Sequence, residues 1–201
     1  MSNYAISEDK DKELTWDEVR SRSQIKDWVR DIMFSELQSG ETFVEYGSGG
    51  SSLSFIEKIR ERDDGCKLVS IEHHEEWYES VKKVTEEATE FTLLHKPNKY
   101  PLTVRDGKYT MQIPTYATPF EENPAGMQDY MIPKEINWSE VGVVLVDGIC
   151  RASVLASVWH YIKDGATVYL HDTDGRDWYD WALSLYRDVD DVYHNMKVLK
   201  K

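Results

Sequence analysis

Short apolar runs alternate with segments of helical periodicity through most of this chain, and that alternation limits the folds open to it. The apolar run at 141–146 is too short for an independent helix and predicts a strand buried on both faces. Strands that alternate with helices imply an α/β fold with a mostly parallel sheet and right-handed crossovers. The other predicted strands are 43–46, 68–71, 91–94, 166–170 and 192–199, and predicted helices include 75–88, 152–162 and 178–186.

Two stretches depart from this alternation. Thr15 can cap one N-terminal helix over about 15–39, and Gly40 supplies its stop. From about 97 to 140 the regularity fails in a proline-rich insertion, within which Asp106-Gly107 favours a two-residue hairpin. Such an insertion can form a substrate lid or remain a plain surface excursion, and the sequence leaves both open.

Composition narrows the classes of partner. The chain has 201 residues, which indicates one domain, and a formal charge of -13, which argues against nucleic acid and anionic membranes as partners. A neutral or cationic small substrate suits that charge better. Cys66 and Cys150 show neither a disulfide framework nor zinc-ligand spacing, and no signal peptide or membrane span is evident. We therefore expect a soluble, cytoplasmic protein.

A glycine-rich segment follows the first predicted strand, with the sequence Glu45-Tyr46-Gly47-Ser48-Gly49-Gly50-Ser51-Ser52. Glycines there let the backbone turn sharply and approach a ligand, although a structural turn or a dinucleotide site would look similar. The dinucleotide fingerprint needs its third glycine at Ser52, where it is broken. Glu45 would repel a pyrophosphate and could pair with a donor that carries an ammonium and a sulfonium group.

A second carboxylate ends the second predicted strand. Glu72 follows the run at 68–71, at the sheet edge beside the glycine-rich segment, where it could accept both hydroxyls of a ribose. The alternative is a solvated acidic residue at a helix start, a position that carboxylates favour. The glycine-rich segment upstream favours the ribose role.

These motifs in order resemble class I S-adenosylmethionine-dependent methyltransferases. Motifs I and II of that family are similar to residues 44–51 and 70–73, and its fourth and fifth strands are similar to 143–148 and 164–172. The Asp147-Gly148 pair with Arg151, and the ending His171-Asp172, look most like small sugar or polysaccharide O-methyltransferases, including those of large algal viruses. The resemblance implies a Rossmann-like α/β fold with helices on both faces of the sheet.

The resemblance also implies a site for S-adenosyl-L-methionine. Donor-binding residues would be Glu45, Gly47, Gly49 and Glu72, with Ser48, Gly50, Ser51, His73 and Trp77 nearby. The acceptor would be a hydroxyl of a carbohydrate.

Chemistry is expected where Asp147 and Asp172 follow adjacent strands. Asp147 is the first candidate for the base that takes the hydroxyl proton, and His171 is the second, with a plain structural histidine as its alternative. Asp147 and Asp172 could instead share Mg²⁺ or Ca²⁺. Metal-dependent catechol-type enzymes show a carboxylate and an amide in succession where this chain has Asp172-Thr173, which weighs slightly against a metal.

Three more residues are candidates for substrate contact. Arg151 and Arg176 could orient the acceptor, or pair with carboxylates in so acidic a protein. Tyr179 could stack on a sugar face, or pack in the core. A nicotinamide-dependent oxidoreductase, for which no Tyr-x-x-x-Lys pair is evident, and a non-catalytic binding domain are the alternative functions.

The C-terminus departs from the resembled family. Its members usually finish with an antiparallel strand pair, whereas this chain ends soon after 192–199. The last strand is therefore expected to be missing or unusual, and excision from a larger multidomain protein would explain it.

Overall fold

The computed structural model describes residues 14–97, 103–106, 109–112, 126–193 and 195–201. The strands are β1 (Thr42–Tyr46), β2 (Lys67–Glu72), β3 (Phe91–His95), β4 (Thr103–Asp106), β5 (Tyr109–Gln112), β6 (Val141–Val146), β7 (Thr167–His171), β8 (Asp188–Tyr193) and β9 (Met196–Lys200). The helices are α1 (Trp16–Arg20), α2 (Asp27–Ser35), α3 (Gly50–Arg62), α4 (Glu75–Val84), α5 (Gln128–Met131), α6 (Arg151–Tyr161) and α7 (Asp180–Leu183), with 3-10 turns at Trp138–Glu140 and Asp177–Tyr179.

One seven-stranded sheet has the order β3-β2-β1-β6-β7-β9-β8. The strands from β3 to β7 pair in parallel, and β9 runs antiparallel to both of its neighbours. Chain order reverses direction between β1 and β6, which lie side by side at the centre. In open α/β sheets ligands bind in the crevice beyond the carboxyl ends of the strands at such a switch point. The tips of β1, β2, β6 and β7 are therefore where a site is expected.

Helices cover both faces of this sheet, as the sequence predicts. Alternate residues of β1 point to opposite faces, so that Phe43 packs with α2 and α3 while Val44 packs with α5, α6 and α7. Every residue of β1 and of β6 is buried. That burial explains why the run at 141–146 shows no polar alternation.

The predicted N-terminal helix over about 15–39 is wrong in one respect, because α1 and α2 are separate helices. Hydroxyl groups compete for backbone groups at the break: Ser21 donates to the Glu18 carbonyl, and Ser23 to the Ile25 carbonyl. The Arg30 side chain then holds the turn by donating to Ser23 at 2.8 Å. The turn also lies against the start of α3, since a Cβ added to Gly50 would be 2.5 Å from the Ser23 nitrogen.

The predicted last strand, 192–199, covers the end of β8 and most of β9. β8 and β9 form an antiparallel pair at the edge of the sheet, so the strand expected to be missing or unusual is present. Asp188, Asp190 and Asp191 are exposed on β8, and charged residues on an edge strand protect it from pairing with another chain. Those charges removed the apolar pattern by which a strand is recognised.

Other boundaries shift by a few residues. α4 ends at Val84 rather than at 88, where Thr85 donates its hydroxyl to the Val81 carbonyl at 2.8 Å. The helix expected at 178–186 is a 3-10 turn followed by the short α7. β4 and β5 form a hairpin at the predicted place, but Asp106 pairs with Tyr109 and therefore belongs to the strand rather than to the predicted two-residue turn.

Residues 98–102, 107–108 and 113–125 of the insertion at about 97–140 lie outside the described residues, and so does the lid proposed for it. Its described end is part of the core, since Tyr130 and Met131 are buried against α6. None of the described helices is long and apolar enough to cross a membrane.

Candidate active site

A close backbone contact joins the tips of the two central strands. Gly47 follows β1 with φ near 90°, and a Cβ there would lie 3.0 Å from the backbone of Gly148, which follows β6. The Gly47 N–H donates to the Ile71 carbonyl at 2.9 Å, and the Asp147 N–H to the Tyr46 carbonyl at 3.0 Å. Glycine is required at position 47 both by its φ angle and by this contact.

Glu72 lies at the tip of β2 beside the glycine turn, as predicted. Its Oε2 accepts hydrogen bonds from the Ser48 N–H at 3.1 Å and the Ser48 hydroxyl at 3.2 Å, and its Oε1 accepts from the His73 and His74 N–H groups at 2.8 Å each. Burial alone would raise the pKa of Glu72. The bonds and charge of His73, with the His74 N–H, outweigh it and hold that pKa below its ordinary value. Glu72 is therefore an ionised, well-ordered acceptor.

Glu45 has a different environment from the one predicted. The side chain has no exposed surface, and its carboxylate accepts hydrogen bonds from the hydroxyls of Ser51, Ser52 and Ser70. Burial raises the pKa of Glu45 to about 7 despite those bonds. The predicted pairing of Glu45 with a bound donor is therefore corrected: the carboxylate lies beneath the loop and fixes its shape.

A Cβ added to Gly50 would point at the backbone of the turn after α1, and the Ser51 hydroxyl is directed to Glu45, so neither position offers a side chain to the crevice. The predicted place of Gly50 and Ser51 near the donor stays a prediction. The structure does bring Trp77 to the loop, where its Nε1 donates to the Ser48 carbonyl at 2.6 Å and its ring would lie 3.5 Å from a Cβ on Gly49. His73 also lies there, 3.0 Å from Glu72 through its Nδ1.

Two N–H groups of the turn, those of Ser48 and Gly49, already donate to side-chain oxygens. The Ser48 N–H is bonded to Glu72, and the Gly49 N–H donates to the Ser52 hydroxyl at 2.8 Å. A pyrophosphate site needs such N–H groups to be available and no carboxylate beside them. The arrangement instead suits a ligand that carries positive charge and hydroxyl groups.

Asp147, His171 and Asp172 meet at the tips of β6 and β7, as predicted. His171 Nδ1 lies 2.8 Å from Asp147 Oδ1 and 3.8 Å from Asp172 Oδ1. Burial alone would lower the pKa of His171, but the bond to Asp147 and the charges of both carboxylates outweigh it and raise that pKa. Burial would likewise raise the pKa of Asp172, but the charges of Arg151, His171 and Arg176 outweigh burial and lower that pKa. The three side chains offer possible metal-ligand atoms within 4.8 Å of one another.

The predicted substrate contacts are placed differently. Arg151 donates to the carbonyls of Gly148 at 2.7 Å, His171 at 2.6 Å and Asp147 at 3.2 Å. It therefore joins two strand tips, and the prediction that it contacts the substrate is corrected. Tyr179 is 4% exposed and packs in the core, which is the alternative that the sequence left open, while it also lines the cleft beside Arg176. Arg176, which is partly exposed, donates to the Tyr179 hydroxyl and to Asp172.

Sequence reasoning missed Ser70 in the middle of β2. Its hydroxyl donates to Glu45 at 2.5 Å, directly across the register from it. A serine inside the apolar run Leu68-Val69-Ser70-Ile71 was the available signal, because a buried hydroxyl needs a partner.

Comparisons with known proteins bear on the fold. No protein-family model and no curated protein matches the sequence. Among solved structures, a methyltransferase-like protein from Silicibacter pomeroyi matches with a TM-score of 0.61 at 17% identity, over 89% of this chain and 87% of that one. A SAM-dependent O-methyltransferase from Thermotoga maritima matches with a TM-score of 0.57 at 12% identity, over 90% and 68%. Aeropyrum pernix fibrillarin, crystallised with natively bound S-adenosyl-L-methionine, matches with a TM-score of 0.51 at 11% identity, over 92% and 75%.

At these identities the likeness concerns architecture alone. The seven-stranded, mostly parallel sheet with helices on both faces is the Rossmann-like fold of class I methyltransferases, as the sequence predicts.

Proposed function

We propose that this protein transfers a methyl group from S-adenosyl-L-methionine to a hydroxyl group of a carbohydrate. One observation supports S-adenosyl-L-methionine as the donor: an ionised Glu72 lies beside a glycine turn in which the N–H groups of Ser48 and Gly49 are already bonded. That site favours a cationic nucleoside over an anionic dinucleotide. Glu72 would accept the ribose hydroxyls, exchanging the Ser48 hydroxyl for them. Solved structures of this fold include one with the same donor bound.

The tips of β6 and β7 supply the groups that would act on the acceptor. The donor would present an electrophilic methyl group on a sulfonium centre. In an in-line displacement the acceptor oxygen bonds to the methyl carbon, the carbon–sulfur bond breaks, and the hydroxyl proton passes to a base. The Asp147 side chain is 24% exposed and that of His171 only 2%, which supports Asp147 as the group that would take this proton. His171 would hold Asp147 in position through Nδ1.

A polar cleft supports a polyhydroxylated acceptor. It has a volume of about 320 Å³ and continues from the end of β7 to the β8–β9 pair. Carboxylates there could accept hydrogen bonds from several hydroxyls, while Arg176 and Lys197 could donate to ring and hydroxyl oxygens. The cleft residues are Thr173, Asp174, Gly175, Arg176, Asp177, Tyr179, Asp180, Leu183, Asp191 and Lys197.

Calorimetry with S-adenosylhomocysteine tests the donor. We expect micromolar binding that weakens at least tenfold in Glu72→Gln, because the amide has one acceptor oxygen where the carboxylate has two. Glu86→Gln removes the same charge from an exposed position and should bind as the wild type does. Wild-type protein that gives no heat at millimolar ligand, or that prefers NADH, would contradict the proposal.

Transfer of labelled methyl groups to a panel of sugars tests the acceptor. Asp147→Asn should lower the transfer rate at least a hundredfold while S-adenosylhomocysteine still binds, since a general base contributes about that much. Donor binding without transfer to any sugar would overturn the carbohydrate assignment and leave the donor site intact.

A further inference from the structure

A guanidinium group lies between the two carboxylates of the candidate active site. Nη2 of Arg151 is 3.5 Å from Asp147 Oδ1 and 3.3 Å from Asp172 Oδ2. The same side chain donates to three backbone carbonyls, at the ends of β6 and β7. Only 12% of it is exposed. Arg151 is therefore a fixed positive charge in the place that a shared cation would need.

The residues present do not fit a divalent ion. Mg²⁺ or Ca²⁺ would bind at about 2.0 to 2.6 Å from carboxylate oxygens, and the same oxygens lie close to Arg151. The two carboxylates already face two guanidinium groups, Arg151 and Arg176, and His171 adds a third group that can be cationic. Within this cluster the two guanidinium charges already balance those of Asp147 and Asp172, which weakens the attraction for a further cation. The sequence left metal dependence open, and this geometry argues against it.

We propose that Arg151 replaces the divalent cation in this cluster, so that Asp147 and Asp172 are positioned by a side chain and the site has no metal requirement. Arg151 acts as a positioning residue. It joins the tips of β6 and β7 through their carbonyls and holds both carboxylates through its charge. Its catalytic consequence rests on the proposed methyl transfer, whereas its effect on metal affinity does not.

The proposal predicts that removing the guanidinium creates a metal site. Wild-type protein should bind Mn²⁺ no more tightly than millimolar, measured by the electron paramagnetic resonance signal of unbound Mn²⁺. Arg151→Met keeps the length of the side chain without its charge and should bind Mn²⁺ at least tenfold more tightly. Arg151→Met combined with Asp172→Asn should lose that gain, because one ligand of the new site is removed. Arg151→Lys, which keeps the charge, should resemble the wild type.

Two further measurements separate this inference from the proposed function. Circular dichroism and S-adenosylhomocysteine binding report whether each variant is folded and retains its donor site, and wild-type methyl transfer should be unchanged by a chelator. Micromolar Mn²⁺ binding by the wild type overturns the inference. So does a folded Arg151→Met that binds Mn²⁺ no better than the wild type. Failure of donor binding would overturn the proposed function and leave the metal result standing.

Discussion

Glu45 and Glu72 show how two carboxylates at neighbouring strand ends acquire opposite properties. Both are buried, yet the pKa of Glu45 is raised and that of Glu72 is lowered. Glu72 accepts hydrogen bonds from backbone N–H groups, whose direction is fixed by the main chain, and lies beside the His73 ring. Glu45 is bonded by serine hydroxyls and is close enough to Asp147 to be repelled by it. Burial favours the neutral form of both carboxylates, and only the partners of Glu72 are strong enough to outweigh it.

Glu45 makes the stability of the protein dependent on pH near neutrality. Its pKa is about 7 in the folded protein against an ordinary value of 4.5. The folded state therefore holds this proton more firmly than the unfolded chain, and stability falls as pH rises from about 4.5 to about 7, by roughly 3 kcal/mol in all. Urea unfolding of the wild type and Glu45→Gln at pH 5, 6, 7 and 8 measures this, since glutamine cannot titrate.

The quantity to compare is the difference in the free energy of unfolding between the wild type and Glu45→Gln. Contributions of His171 and the other titrating groups are common to both and cancel to first order. The free energy of unfolding of Glu45→Gln, relative to the wild type, should rise with pH across this window, while Glu86→Gln should run parallel to the wild type. Parallel curves for Glu45→Gln as well would show that Glu45 is ionised throughout.

At the scale of elements, the turn between β1 and α3 depends on its neighbour after β6. The Gly47 and Gly148 backbones touch, so the strand tips that bear Glu45 and Asp147 approach without side chains between them. Trp77 at the start of α4 closes the turn from the other side. The site is thus built where segments distant in sequence meet at one edge of the sheet.

Gly47→Ala should damage this turn more than a positive φ angle alone explains. The strained φ costs about 1 to 2 kcal/mol, and contact of the new methyl group with Gly148 adds about 1 to 3 kcal/mol. Gly165→Ala is the matched control, because Gly165 has φ near 85° and nothing within 4 Å of an added Cβ. Thermal unfolding and S-adenosylhomocysteine titration should show a larger loss for Gly47→Ala in both stability and binding. Equal losses would exclude the role of the backbone contact.

At the scale of the whole molecule, the β8–β9 pair completes the sheet. β9 lies between β7 and β8, and its Leu199 is wholly buried in the core that α6 and α7 share. His171 pairs in register with Met196 of the same strand. The final strand therefore supports the tip of β7, where the candidate active site lies.

Leu199→Ala should destabilise the protein by about 2 to 5 kcal/mol, as expected when a buried leucine leaves a cavity. Val189→Ala on β8 removes an apolar side chain that is 38% exposed, and should cost less than about 1 kcal/mol. Urea unfolding of the two variants measures the contrast. Similar small losses in both would mean that β9 contributes little to the core.

The sequence by itself determined the class of fold and the places of Glu72, Gly47, Asp147, His171 and Asp172. Apolar runs buried on both faces and a glycine-rich turn are local signals, and parallel strands bring their carboxyl ends to one edge whatever the details of packing. β8 was missed because its exposed acidic residues carry no apolar pattern.

Only the tertiary structure decided what each polar side chain faces. Glu45 meets serines of α3 and β2 beneath the loop, and Arg151 is bonded to the ends of two strands rather than directed into the crevice. These partners are distant in the chain, and a hydrogen bond depends on distances of a few tenths of an ångström. Spacing along a sequence fixes which strand end a residue occupies, but the direction of its side chain depends on packing from other elements.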